Sequence, residues 1–456
     1  MKIWKRNKSG LVLPVVAAIA LCLALLGLGV LQLGFGSRLM STRTMGGVSA
    51  RAAADAGVTR ALYEMNALFD SASGWGSPLP PDVVDQPLNN SNATYSYRIL
   101  PRTAEPYLYV QPLTGETIRY RVIESTGELG TQQKTVYATI GIRNLFDYGL
   151  IVTDTIDLKS DTLVDGYDTN LGPYTDPPDY TNSHNYIRIG TTSIADNAIW
   201  LHQNTQVTGD ILAGIGGDIY EVIEETPAGG SITGPWYNLP EPWYFQPIII
   251  PEEPFIPASS IGESTPWDGT GSYRIPEVVT GETTYFQFDN IDVPTGRRLI
   301  FLGPVVIVVN QNLELDNAAN LFVGEPDATM PNYGLSSSVT IYLNGNLLVR
   351  NGGNINNLSR IPLNFQLFGT GTNPGGEDWE IRNSGDYYGI YYGPNANIRT
   401  YAVAEFFGAV SGHEFILFNG GRLHYDRALS NIIGYDTGFG IDRLWEKSEF
   451  VVATGP

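Results

Sequence analysis

A single cysteine, Cys22, stands among 456 residues, with only four histidines, His184, His202, His413 and His424. A disulfide framework and every multi-cysteine zinc or iron–sulfur centre are excluded, and no two histidines stand at metal-ligand spacing. Charge is also scarce: at 16% of residues it is too low for a coiled coil or a highly charged disordered chain. Cations are outnumbered 27 to 47, so the net charge of −20 excludes nucleic acid as an expected partner, because phosphate neutralisation needs clustered Lys and Arg. GxxxxGK[ST], GxSxG, HExxH and the EF-hand loop are all missing. No cofactor is expected, and a long apolar run occurs once.

That run follows Lys2, Lys5, Arg6 and Lys8. Its apolar part, Leu11 to Leu31, spans a hydrocarbon core of ~30 Å at ~1.5 Å per residue. The basic flank predicts a single pass through the inner (cytoplasmic) membrane, in contact with the lipid bilayer, N-terminus inside and the remainder outside. Residues 1–54 carry seven basic and no acidic side chains, whereas the rest carries 20 basic and 47 acidic. A cleaved secretory signal competes with this reading, but Ala50-Arg51-Ala52 lies too far past the apolar run for an ordinary cleavage site. Leu21 stands before Cys22 where a lipoprotein anchor requires a small residue.

Ala50, Ala53, Ala54, Gly57, Val58, Ala61, Leu62, Met65 and Leu68 then recur at three- and four-residue steps, predicting an amphipathic helix over about residues 48–71. Its small side chains suit either neighbouring helices or the helix's own domain. Short alternating strands are expected at 94–100, 108–111, 118–124 and 134–143.

The leader ending Lys8-Ser9-Gly10, the apolar helix from Leu11, and Ala52-Ala53-Ala54-Asp55-Ala56-Gly57 with Ala61 downstream resemble type IV pilins. They are most similar to the PilX-type minor pilins, and the resemblance covers about residues 1–70. It implies cleavage by a prepilin peptidase between Gly10 and Leu11, followed by assembly with other pilin-like subunits and the pilus machinery. Most pilins carry glutamate at the fifth mature position, where this chain has Val15. That departure implies a tip or initiating subunit, or a chain that is not processed.

From residue 147 an 11-residue template appears, with apolar residues at positions 1, 3 and 9, Asp or Asn at 6, Thr at 7 and Gly at 11. Ile156–Gly166 and Ile199–Gly209 fit it, as do Ile307, Val309, Asn312, Leu315, Asn317 and Ile341, Leu343, Asn346, Val349, Asn351. Ile398, Thr400, Phe406, Gly408 and Ile416, Phe418, Gly421 fit loosely. Two short strands joined by a left-handed corner, with positions 1 and 3 inward, explain the pattern. The expected fold is mainly β: a transmembrane and amphipathic helix, a small β-rich unit and a parallel β-helix (solenoid) head, with an antiparallel β-sandwich as the alternative. Tyr388–Ala396, Phe406–Val410 and Leu423–Leu429 resemble an uncharacterised β-helical domain of bacterial envelope proteins that follows PilX-type N-termini. That resemblance covers about residues 147–430 and brings no known enzymatic activity.

The expected organisation is a leader (1–10), helix (11–74), small β-rich unit (75–146), first rungs (147–226), a Pro- and Trp-rich arm (227–280), further rungs (281–430) and a tail (431–456). In the arm, Trp236, Trp243 and Trp267 suit a sugar-binding platform or hydrophobic anchoring to the head. Asp154, Asp157, Asp161, Asp165 and Asp168 are dense enough for Ca²⁺, although acids also decorate solvated corners. The expected function is a non-catalytic minor subunit or assembly factor of a type IV pilus or related secretion filament. The alternative is a membrane-anchored head that binds or cleaves polysaccharide.

Overall fold

The computed structural model describes residues 12–446 apart from 71–72, 104, 111–116, 176–185, 227–229, 240–241, 244, 247, 259, 277–278, 280 and 432–435. The apolar run and the small-residue pattern form one uninterrupted helix, α1 (Val12–Ala67), of 56 residues. At ~1.5 Å per residue it is ~84 Å long. Among the described residues no helix is long and apolar enough to cross a membrane. The predicted span falls mostly on the part of α1 whose side chains lie outside the description.

Behind α1 comes an antiparallel sheet: β1 (Val83–Pro87), β2 (Thr94–Leu100), β3 (Tyr107–Val110), β4 (Thr117–Leu129) and β5 (Gln132–Asn144). The strand Asp436–Glu446 completes it by pairing antiparallel with β5. Part of the expected C-terminal tail therefore belongs to the small unit, and the large unit is inserted between the two paired strands. Period-two alternation points Tyr97, Ile99, Ile123, Val136, Ala138 and Ile140 at Ala54, Val58, Ala61 and Met65 of α1. Close approach requires the small residues. A Cβ on Gly127 would lie 2.0 Å from the Ala50 carbonyl oxygen, and one on Gly57 would lie 2.1 Å from Ser125 Oγ. Between Ala50 and Met65 the small-residue face thus packs on the helix's own sheet.

The large unit is parallel throughout its described pairings, which rules out the antiparallel sandwich. Strands come in threes: Pro304–Val309, Leu313–Leu315 and Asn320–Val323, then Ser338–Leu343, Leu347–Val349 and Asn354–Asn357. Each pairs with its counterpart in the next tier, so Ile307 faces Ile341, Leu315 faces Val349 and Leu321 faces Ile355. The inward residues form one continuous apolar core.

Spatial order departs from chain order. The first tier in sequence, Leu150–Val152, Ile156–Leu158 and Leu163–Tyr167, pairs on one side with the next tier, Ile187–Thr191, Ile199–Leu201 and Gln206–Val207. On its other side it pairs with the last strands, Glu405–Leu417 and Arg422–Asp426. The early stack therefore sits on the end of the late stack. The chain enters and leaves the large unit at this seam, beside the β5 pairing.

The arm makes this order possible, since it must return from the far end of the early stack to the start of the late one. Trp243 meets Tyr148 near the seam, with ring centroids 4.7 Å apart. Tyr392 OH donates to the Gln246 carbonyl at 2.9 Å, and Phe255 meets Tyr285 at 5.6 Å. Ile256–Pro257 then pairs with Thr284–Phe288. The arm thus follows the side of the late stack that carries Tyr342, Phe368 and Tyr392 in register.

The template is largely recovered, with two corrections. Asp161 and Asn204 take the left-handed corner (φ 63° and 60°) and stack, Asn204 Nδ2 donating to Asp161 Oδ1 at 2.9 Å. Asn312 and Asn346 mark a different corner without positive φ. There the backbone N–H of Asn346 donates to Asn312 Oδ1, and that of Asp378 to Asn346 Oδ1, at 3.0 and 2.8 Å. The loose copy at Ile416 is one residue out of phase: Phe415 and Leu417 point inward, and Phe418 is exposed. Both faces of that strand are apolar, so alternation alone does not fix its phase.

Candidate functional site

Three places carry features beyond packing. The first is α1 itself. N-terminal to Gly46 it leaves the sheet, and Leu28, Leu31, Phe35, Met40 and Met45 are exposed. Beside the docked half, Arg60 Nε donates to Glu64 Oε1 at 2.5 Å, and Tyr97 OH donates to Glu64 Oε2. The Tyr97 bond holds the Glu64 carboxyl below its usual pKa, while burial and that same bond raise the Tyr97 phenol. Gly10 and Leu11 lie outside the described residues, as does the side chain of Val15.

The second place is the seam. His424 Nδ1 donates to Asp165 Oδ1 at 2.6 Å, with neither side chain exposed, and Tyr174 OH donates to Asp165 Oδ2 at 3.0 Å. Tyr174 and Phe407 flank the imidazole at 3.9 and 4.7 Å between centroids, and Phe407 stacks on Tyr388 at 4.2 Å. His424 Nε2 has no hydrogen-bond partner and stands 3.9 Å from Glu405 Oε2. A histidine with its aspartate could serve as a general base. Here Tyr174 packs over the imidazole, and the pair bridges the two strands that meet at the seam.

The third is Glu377. It shares the inward phase of its strand, Glu377–Ile381, with Trp379 and Ile381. It is 5% exposed, and neither carboxyl oxygen has a hydrogen-bond partner of good geometry, the Gly371 N–H standing nearest. Burial raises its pKa to about 7, opposed by the Gly371 N–H. Period-two phasing from Trp379 is a signal that could have found it; the seam pair had none, because its partners lie 259 residues apart.

The three arm tryptophans make separate contacts within the chain. Trp236 is partly buried near Tyr220, Trp243 packs on Tyr148, and Trp267 meets Tyr273 and Arg297 while donating from Nε1 to the Gly262 carbonyl. The aspartates also diverge: Asp157 meets Lys159 and His202, Asp161 meets Asn204, Asp165 meets His424, and Asp168 caps a short helical turn. Among the described residues no group of three His, Cys, Asp or Glu could hold a metal ion.

A family model described as a domain of unknown function (DUF7305) matches residues 270–432, the late stack up to the seam. No curated protein matches the chain. Among solved structures, the competence-associated pilin ComZ from Thermus thermophilus aligns at 12% identity over 88% of this chain and 98% of its own. Its TM-score is 0.21.

Proposed function

We propose that this chain is a non-catalytic, PilX-like minor subunit or assembly factor of a type IV pilus or related secretion filament, anchored through α1 and carrying a parallel β-helical head outside the cytoplasm. One observation carries the reading. The C-terminal half of α1 packs at three- and four-residue steps against its own antiparallel sheet, while the half before Gly46 exposes large apolar side chains. Such a surface is costly in water and suits hydrocarbon or the helices of other subunits. The leading cations orient it with the N-terminus inside. The head is read as a β-helix because its strands pair tier by tier in parallel around one apolar core. The three tryptophans pack within the chain, which supports anchoring of the arm rather than an open sugar platform.

The mature N-terminus and the subunit's stoichiometry in purified filaments, both by mass spectrometry, test the proposal. Cleavage after Gly10 and abundance far below the main shaft protein are expected. An uncut Met1 or abundance equal to the shaft protein would overturn it.

A further inference from the structure

We propose that Glu377 makes the corner 370–376 a proton-operated latch, closed while the carboxyl keeps its proton and released as it ionises. The inference goes beyond the filament reading and does not depend on it. Its basis is steric first. A Cβ on Gly371 would lie 1.6 Å from Glu377 Oε1, and one on Gly369 would lie 2.9 Å from Oε2 and 2.8 Å from Trp379 Cζ2. The carboxyl is therefore seated against backbone that only glycine allows. Neither oxygen has a hydrogen-bond partner of good geometry; the Gly371 N–H offsets only part of the cost of burial, so the seat tolerates a neutral carboxyl far better than a carboxylate.

Among the described residues no cation acts on the carboxyl to neutralise its ionised form. The corner, Thr370 to Gly376, contains no titratable side chain, nor does the preceding strand, Phe365–Gly369. On Glu377's own strand, Asp378 is exposed and bonds Asn397 and Arg399, and Glu380 pairs with Arg382. On the following tiers, Arg399 also pairs with Glu414, and His413, whose ring borders Gly375, bonds Thr153. Only burial and the Gly371 N–H shift the carboxyl, in opposite senses.

The sign follows from the raised value. The open carboxyl titrates at its ordinary 4.5 and the closed one at about 7, so closure is fully favoured below 4.5 and weakens as pH rises to about 7. Between pH 5 and 8 the opening equilibrium should rise about 70-fold.

The test is hydrogen exchange by mass spectrometry on the full chain in detergent at pH 5 to 8, corrected for intrinsic exchange. Peptides covering 370–376 should lose protection with rising pH in the unaltered chain and show no such trend in Glu377→Gln. Gly371→Ala, which displaces the carboxyl, should leave the corner open at every pH. Protection unchanged with pH, or an equal slope in Glu377→Gln, would overturn the latch. So would Ca²⁺ restoring protection at pH 8 in the unaltered chain but not in Glu377→Gln, since the seat would then hold a metal.

Discussion

His424 and Asp165 lie 259 residues apart in sequence and 2.6 Å apart in the seam, where neither side chain is exposed. Their bond joins the last tier of the late stack to the first tier of the early one, as register partners within the parallel pairing of Arg422–Asp426 with Leu163–Tyr167. Asp165→Ala would leave the imidazole buried without its acceptor. We expect a loss of about 3 kcal/mol in urea unfolding. Asp168→Ala, which removes only a surface cap, should cost about 1 kcal/mol or less. A cost below 1 kcal/mol for Asp165→Ala would mean that the seam does not depend on this pair.

The phase of the strand Glu405–Leu417 is tested at two adjacent residues. Leu417→Asp puts a charge in the apolar core and should unfold the head, at a cost of about 4 kcal/mol or more. Phe418→Asp alters an exposed position and should change the melting temperature little. The reverse order would restore the phase of the 11-residue template at Ile416.

Helix docking rests on Gly127. Its replacement by alanine drives a methyl into the Ala50 backbone, and about 3 kcal/mol should be lost from the small unit. Gly47→Ala meets nothing within 4 Å and should be neutral or stabilising by about 0.5–1 kcal/mol. Limited proteolysis of 75–144 reads the difference; equal resistance in both variants contradicts the close approach.

Trp243 anchors the returning arm. Trp243→Ala should weaken the whole head by about 2 kcal/mol and make 239–258 the first site of proteolytic cleavage. A sugar platform predicts otherwise: unchanged stability with lost glycan binding.

Local chemistry made several features legible in advance. Strand Thr94–Leu100 follows from Tyr95, Tyr97 and Ile99 alternating among residues that favour strands, and its observed bounds agree with those expected. Asp161 and Asn204 were readable as corners because their side chains tolerate left-handed backbone. The small face of α1 was readable as a close-packing surface, but not what it would meet, since alanine and glycine permit any near neighbour.

Pairings between distant segments were settled only by the tertiary structure. The tiers share the same inward apolar period, so an early strand such as Ile156–Leu158 matches Ile199–Leu201 and 415–417 equally well. What selects the permuted order is closure of the chain. Strand Asp436–Glu446 must return to β5, which brings the exit beside the entry and sends the arm back along the stack. Composition fixed a β-rich, cysteine-independent chain with one apolar helix, because those properties depend on residue types and their spacing alone. The seam, the sealed histidine and the buried carboxyl of Glu377 depend on which strands become neighbours, and that is decided by closing the chain over one shared core.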